Sequence, residues 1–470
     1  MDPQLENGPF MTNRKFSDST DRISVVSRIY IWSLIFEPFL YFIYASGGQT
    51  IGIPFSVSRI LQIIVLMSFF IHFILIRSSM AKQQLLPIHL NKYFVYYLLI
   101  LCTSSFLGLF IFHSYEVIVK INIFNEVAVN PFLKSKYMRP FFDLFLVSYY
   151  YFYFIVLARH FISSAKAISY YFKYFILSFY WIIFFGFVDL GHGFLMGSAL
   201  IKRHFGEATD VGTRFHSFLG EPRDAFVYLV YAGLILVIYH VRYSKIRRIS
   251  IMLYLILAAL ILTQSTSGIT GIFIGGGLVL IYFFSKRKTK AFYFSGVITF
   301  IIFLIITLVQ YSPRMVMYME AFSSLFDDLK SGKELPYVLM VQSVNFLPLW
   351  GMYLQFTNFD YIQLLFGSGF SSSSYFNMNS IGASDGGNPH AQITRLLYEG
   401  GIFGTLAYLL FLMKPVIKFL VSLPSRKSDN IVFIFFLLSG ASLAHRSLIP
   451  FILTGLILAY NSIYRSAIIK

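Results

Sequence analysis

"FKYFILSFYWIIFFGFVDL", residues 172–190, carries one base near its start, one acid near its end, and no other charge. A helix rises about 1.5 Å per residue, so roughly 20 such residues cross the ~30 Å hydrocarbon core of a bilayer. The stretch therefore reads as a membrane span. Comparable runs recur near 29–46, 58–77, 93–113, 140–158, 224–241, 249–264, 267–284, 292–311, 401–420, 430–444 and 447–464, about twelve spans in all. The whole composition agrees. Of 470 residues, 57% are hydrophobic and only 13% charged, against about 25% charged in soluble domains. The expected fold class is an all-α polytopic integral membrane protein.

The formal net charge of +17 does not call for nucleic acid. Its lysines and arginines concentrate in short segments such as "HVRYSKIRR" (240–248), "SKRKTK" (285–290) and "PSRKSD" (424–429), which alternation of spans puts on one side. Arg14, Lys15, Arg22, Arg28, Arg77, Lys82, Lys92, Arg159 and Lys166 fall there too. Short basic loops mark the cytoplasmic face. Both termini are then expected inside, with 1–28 a cytoplasmic tail, 29–311 holding nine spans, and 401–470 three spans and a short cytoplasmic end. The polar N-terminal segment lacks the apolar core of a cleavable signal peptide. Cys102 is the single cysteine, so no intrachain disulfide forms. The opposite face receives longer segments near 114–139, 191–223 and 312–400, the last a large extracytoplasmic loop before the tenth helix. Long loops are usually functional. The aromatic clusters 148–154 and 170–181 read as lipid-facing or interfacial belts.

Several arginines occupy this outer side against the charge trend: Arg214 and Arg223 in "GTRFHSFLGEPRDAF", Arg314, Arg395, and Arg446 beside His445. A guanidinium presents a planar fork of donors matched to phosphate oxygens. The same residues also suit lipid phosphates or loop acids. His390 follows Asn388-Pro389, and Pro favours the first turn of a helix. There the helix dipole favours a neutral, base-competent imidazole; a capping or interfacial role is the alternative. Arg395 lies five positions on, about 140° round a helix, and can pair with Glu399 at i+4. Asp327 and Asp328 lack the spaced partners a metal site needs. No metal or cofactor is expected.

"GNPHAQITRLLYEGGIFG" (387–404), with Gly401 and Gly404 closing it, resembles the signature of the bacterial O-antigen polymerase and O-antigen ligase superfamily. "GSGF" (367–370), the Arg-bearing "TRFHSFLGEPRDAF" and "ILTQSTSGITGIFIG" resemble its other conserved segments in the expected order, over about 210–410. The resemblance implies a GT-C-like fold and metal-independent glycosyl transfer in a bacterial inner membrane, with the site on the periplasmic side. Donor and acceptor would be oligosaccharides on undecaprenyl pyrophosphate, and a chain-length regulator fits as a further partner. His390 would remove the acceptor proton, and Arg214 would stabilise the leaving pyrophosphate. Arg223, Arg314, Arg395 and Arg446 would be further phosphate contacts, and Glu221 would orient Arg214 or serve as an alternative base. Ala391 and Thr266 depart from the ligase pattern, which favours an O-antigen or exopolysaccharide polymerase over a ligase acting on lipid A-core. A polysaccharide-unit flippase is the alternative of another class, but carriers concentrate ionisable residues at mid-membrane.

Overall fold

The computed structural model describes residues 23–39, 56–78, 91–115, 137–197, 200–201, 214–219, 222–243, 246–286, 291–296, 298–299, 313–332, 361–373, 391–421, 425–444 and 447–469. Among these, 87% are helical and none forms a strand, as an apolar chain must be when its backbone has to satisfy its own hydrogen bonds in lipid. The helices are α1 (Val25–Phe36), α2 (Val57–Ser78), α3 (Lys92–Phe110), α4 (Met138–Tyr151), α5 (Leu157–Phe161), α6 (Ala165–Met196), α7 (Pro222–Tyr243), α8 (Ile246–Leu262) and α9 (Thr266–Lys286). After them come α10 (Pro313–Lys330), α11 (Tyr361–Phe366), α12 (Gln392–Val421), α13 (Ser425–Ala444) and α14 (Ile449–Ile469). Local chemistry sets several starts: the side chains of Ser24, Asn91 and Ser164 each accept a backbone N–H of the following first turn. Gly197, at φ 68°, closes α6.

Seven of the described helices are long and apolar enough to cross a membrane, and four shorter apolar helices accompany them. The chain is thus a helical membrane protein. Ile60, Ile63, Met67, Phe70, Ile71 and Ile74 stand exposed along α2, the face a lipid-bathed helix presents. By contrast α7 is buried along most of its length and forms the centre of the bundle.

Three expectations change. Of the run read as 29–46, the described part is helical to Phe36 and turns at Glu37–Pro38, since Pro38 has no N–H with which to extend the ladder; residues 40–46 lie outside the description. The span expected from about 401 is the inner part of a helix that already begins at Gln392, close to the start that Pro389 suggests. The aromatic belts are largely core: Tyr151, Tyr153, Phe154, Tyr171, Phe175 and Phe179 are buried, whereas Tyr180 and Trp181 are exposed. Tyr171 and Tyr231 share a 2.7 Å hydroxyl–hydroxyl bond, Tyr30 donates to the Tyr153 carbonyl at 2.9 Å, and Phe94 stacks on Tyr151 at 3.7 Å. The phenols of Tyr30, Tyr153, Tyr171 and Tyr231 thus find partners that lipid would not supply.

One π turn, Phe152–Val156, joins α4 to α5. Gly455 of α14 lies directly on the Phe154 carbonyl there. A second close approach locks α9 to α13, which run antiparallel. A Cβ on Gly271 would come within 2.6 Å of the Ala441 Cα, and one on Gly275 within 2.6 Å of the Phe436 carbonyl oxygen. Gly440 in turn faces the backbone of Gly271 and Gly275. This is small-xxx-small packing.

Candidate functional site

Two polar clusters stand at the end of the bundle where α9 and α12 begin. In the first, the segment after α6 folds onto the α8–α9 turn. The Phe215 N–H donates to the Leu262 carbonyl at 2.8 Å. Arg214, almost wholly buried, donates from Nε to the Thr263 carbonyl and from a terminal nitrogen to the Gln264 carbonyl, each at 3.1 Å. The Phe215 ring fills the space over Gly186, where no side chain would fit. His216 turns Nδ1 toward Asp189 at 3.4 Å, and both are buried. The other Asp189 oxygen accepts the Ile201 N–H at 2.7 Å. Ser217 and Gln264 sit at φ 53° and 47°, a region that non-glycine residues enter at a cost of about 1–3 kcal/mol. Ser217 is held there by its hydroxyl on the Ile182 carbonyl, 2.8 Å.

The second cluster is built where residues 367–373 lie on α12. Ser368 and Gly369 donate their N–H groups to the carbonyls of Tyr398 and Glu399, at 2.7 and 3.2 Å. The two strands of backbone touch so closely that Gly367, at φ 84°, has the Glu399 carbonyl carbon 2.5 Å from where a Cβ would stand. Gly401 breaks the helical dihedrals of α12 at φ 63°, ψ −165°, which lets α11 and its loop nest against the break. Inside this joint Arg395 binds both oxygens of Glu399 at 3.0 Å. Ser373 donates to Glu399 at 2.6 Å. Asp143 of α4 approaches Arg395 at 3.9 Å and Arg139 at 3.3 Å, while Arg139 donates to the Ser371 hydroxyl at 3.0 Å. Phe370 covers the Arg395 guanidinium at 5.5 Å. Two bases and two acids thus cancel within one knot, buried but for the 37% exposed side chain of Arg139. Glu399→Gln leaves Arg395 with only the distant Asp143. Removing a partner from a buried pair costs about 3–5 kcal/mol, so a loss near the lower end, about 3 kcal/mol, is expected in the thermal unfolding of the detergent-solubilised protein.

A third polar group ties α1 to α2. Glu37 accepts from Arg59 at 3.0 Å and from Ser58 and Gln62, and Tyr149 donates to Gln62 at 2.6 Å. Of the sequence-derived site residues, Arg214 and Arg395 fall in the first and second clusters respectively. Arg223 lies half-buried in the first turn of α7. Gly401 forms the break, and a Cβ on Gly404 would stand 3.5 Å from Ile100 of α3. Arg314 is the second residue of α10, its side chain outside the description. His390, Glu221 and Arg446 lie outside the described residues, as does His445. Asp327 and Asp328 sit in the last turn of α10. Sequence reasoning missed Arg139, Asp143, Asp189 and Glu37. The i,i+4 spacing of Arg139 and Asp143 at the mouth of an apolar run, and a lone acid inside one, were the available signals.

No family model matches the chain, and neither a curated protein nor a solved structure does.

Proposed function

We propose that the protein is a membrane glycosyltransferase, a polymerase that joins undecaprenyl-pyrophosphate-linked oligosaccharide units of an O-antigen or exopolysaccharide. One observation carries the reading. Segments far apart in sequence that share the superfamily's pattern come together at one end of the bundle: Arg214–Phe215 on Leu262–Gln264, and "GSGF" on the start of α12. With the basic loops inside, that end faces the periplasm, where a lipid-linked donor arrives. In the proposed step His390 takes the proton of an acceptor sugar hydroxyl as that oxygen bonds to the donor's anomeric carbon. The bond from that carbon to the pyrophosphate breaks, and the electron pair leaves with the lipid pyrophosphate. Arg214, aimed by two backbone carbonyls, stabilises the charge that develops. Thr266, at the start of α9 where a ligase carries Arg, supports polymerase over ligase.

The test is complementation of a polymerase-deficient strain. Wild type is expected to restore long polysaccharide. Arg214→Lys keeps the charge but loses the fork, and is expected to lower polymer yield by about 10²-fold at equal membrane abundance. A wild type that leaves only single repeat units in the strain overturns the polymerase reading. Full-length polymer from Arg214→Lys removes Arg214 from the reaction.

A further inference from the structure

At the opposite end of the bundle, α3 begins beside the last turns of α12. Lys414 donates to the Tyr93 hydroxyl at 2.7 Å and sits 4.7 Å from that ring's centre. Lys92 approaches the same ring at 5.3 Å. Lys418 follows Lys414 by one turn on the same face, and all three lysines are exposed. Among the described residues none of the three pairs with a carboxylate. Like charges at i,i+4 repel, so the arrangement is unfavourable until an anion joins it. The general excess of basic residues at cytoplasmic ends does not require one ammonium to be anchored on a tyrosine about two turns inside a helix.

The surface leading away from the lysines is apolar. From Lys92, Tyr96 and Leu99 continue along α3 at helical spacing; from Lys414, Leu410, Leu406 and Phe403 continue along α12. All five are exposed. The two stripes belong to neighbouring helices: Lys414 of α12 bonds Tyr93 of α3, and the Tyr97 and Tyr408 rings stand 5.4 Å apart. A cationic foot with a hydroxyl donor, below two apolar rails, has the shape and charge of an amphiphile's complement.

We propose that Lys92, Tyr93, Lys414 and Lys418 bind the phosphate headgroup of an anionic phospholipid, whose acyl chains lie along the exposed faces of α3 and α12. Three uncompensated ammoniums favour a headgroup with net negative charge. A zwitterionic lipid brings its own cation, which the lysines repel. Lysine stems also reach along apolar surface while keeping the charge at the interface. The site is independent of the glycosyl-transfer reading and lies away from both polar clusters.

Detergent-purified full-length protein, titrated with phosphatidylglycerol or phosphatidylcholine, reports the site by native mass spectrometry of retained lipid. Wild type is expected to keep phosphatidylglycerol in preference. Each lysine contributes about five-fold, so the Lys92→Gln, Lys414→Gln, Lys418→Gln triple variant is expected to bind it on the order of 100-fold more weakly. The corresponding triple Arg variant keeps the charges and is expected to retain the lipid, which separates binding from folding. Lys166→Gln, on α6, is expected to behave as wild type. Equal retention by the triple Gln variant, equal loss in Lys166→Gln, or no headgroup preference in wild type each overturns the proposal. So does displacement of the lipid by inorganic phosphate at equal concentration.

Discussion

His390→Ala is expected to lower glycosyl transfer by about 10²–10⁴-fold, the usual contribution of a positioned general base, without reducing the amount of protein in the membrane. The expectation follows from the proposed reaction and from what surrounds the residue in sequence. Two positions on, α12 begins, and its first turns are fixed by Thr394 bonding the Ala391 carbonyl at 2.8 Å and by the Arg395–Glu399 pair. The measurement is transfer between purified lipid-linked repeat units, with abundance checked by detergent-extracted gel filtration. His390→Ala enzyme that elongates at the wild-type rate would remove the residue from the chemistry and leave Glu221 as the base to examine.

Gly440→Leu is expected to abolish accumulation of folded protein altogether. A side chain there meets the backbone of Gly271 and Gly275, not the movable end of a neighbouring side chain. The two helices would have to separate along their whole seam, giving up the dispersion contacts that associate helices in lipid. Gly277→Ala is the matched control, since nothing stands within 4 Å of its added methyl. It should accumulate like wild type, whereas Gly440→Leu should be lost from the monodisperse fraction. A Gly440→Leu protein that elutes and melts as wild type would mean the seam does not hold the fold.

The class of fold was legible because it depends on a sum. Apolar length alone pointed to an all-helical membrane protein, although of the roughly twelve runs read as spans, seven helices among the described residues are long and apolar enough to cross a membrane. Boundaries depend on single residues, and there the reading slipped. Pro38 ends α1 early. Pro389 marked a helix start close to the observed Gln392, but polar Thr394, Arg395 and Glu399 kept those turns out of the run read as a span, although the charges cancel inside the helix. Burial was the least legible property. Tyr153 and Trp181 look alike in an aromatic-rich run, yet one is fully buried and the other half exposed, a difference set by which helices pack alongside. The second cluster was hidden for a related reason: Asp143 and Arg395 lie on helices far apart in the chain, and only the loop at 367–373 brings their surroundings together. Arg214 was legible as a residue of interest, but its two backbone carbonyl partners were not, because their importance arises from the turn they form.

The π turn between α4 and α5 fixes a phase relation along one rod. An extra residue in a single turn rotates everything beyond it by about 100°. Upstream of it, α4 aims Asp143 at Arg395 and Arg139 at Ser371; downstream, the Phe154 carbonyl meets Gly455. These two engagements are compatible only while that residue is present. Deleting any one residue of Phe152–Val156 would leave composition and hydropathy almost untouched, yet the rod could then satisfy one neighbour or the other. The register of the whole helical rod is therefore written in one residue's worth of length.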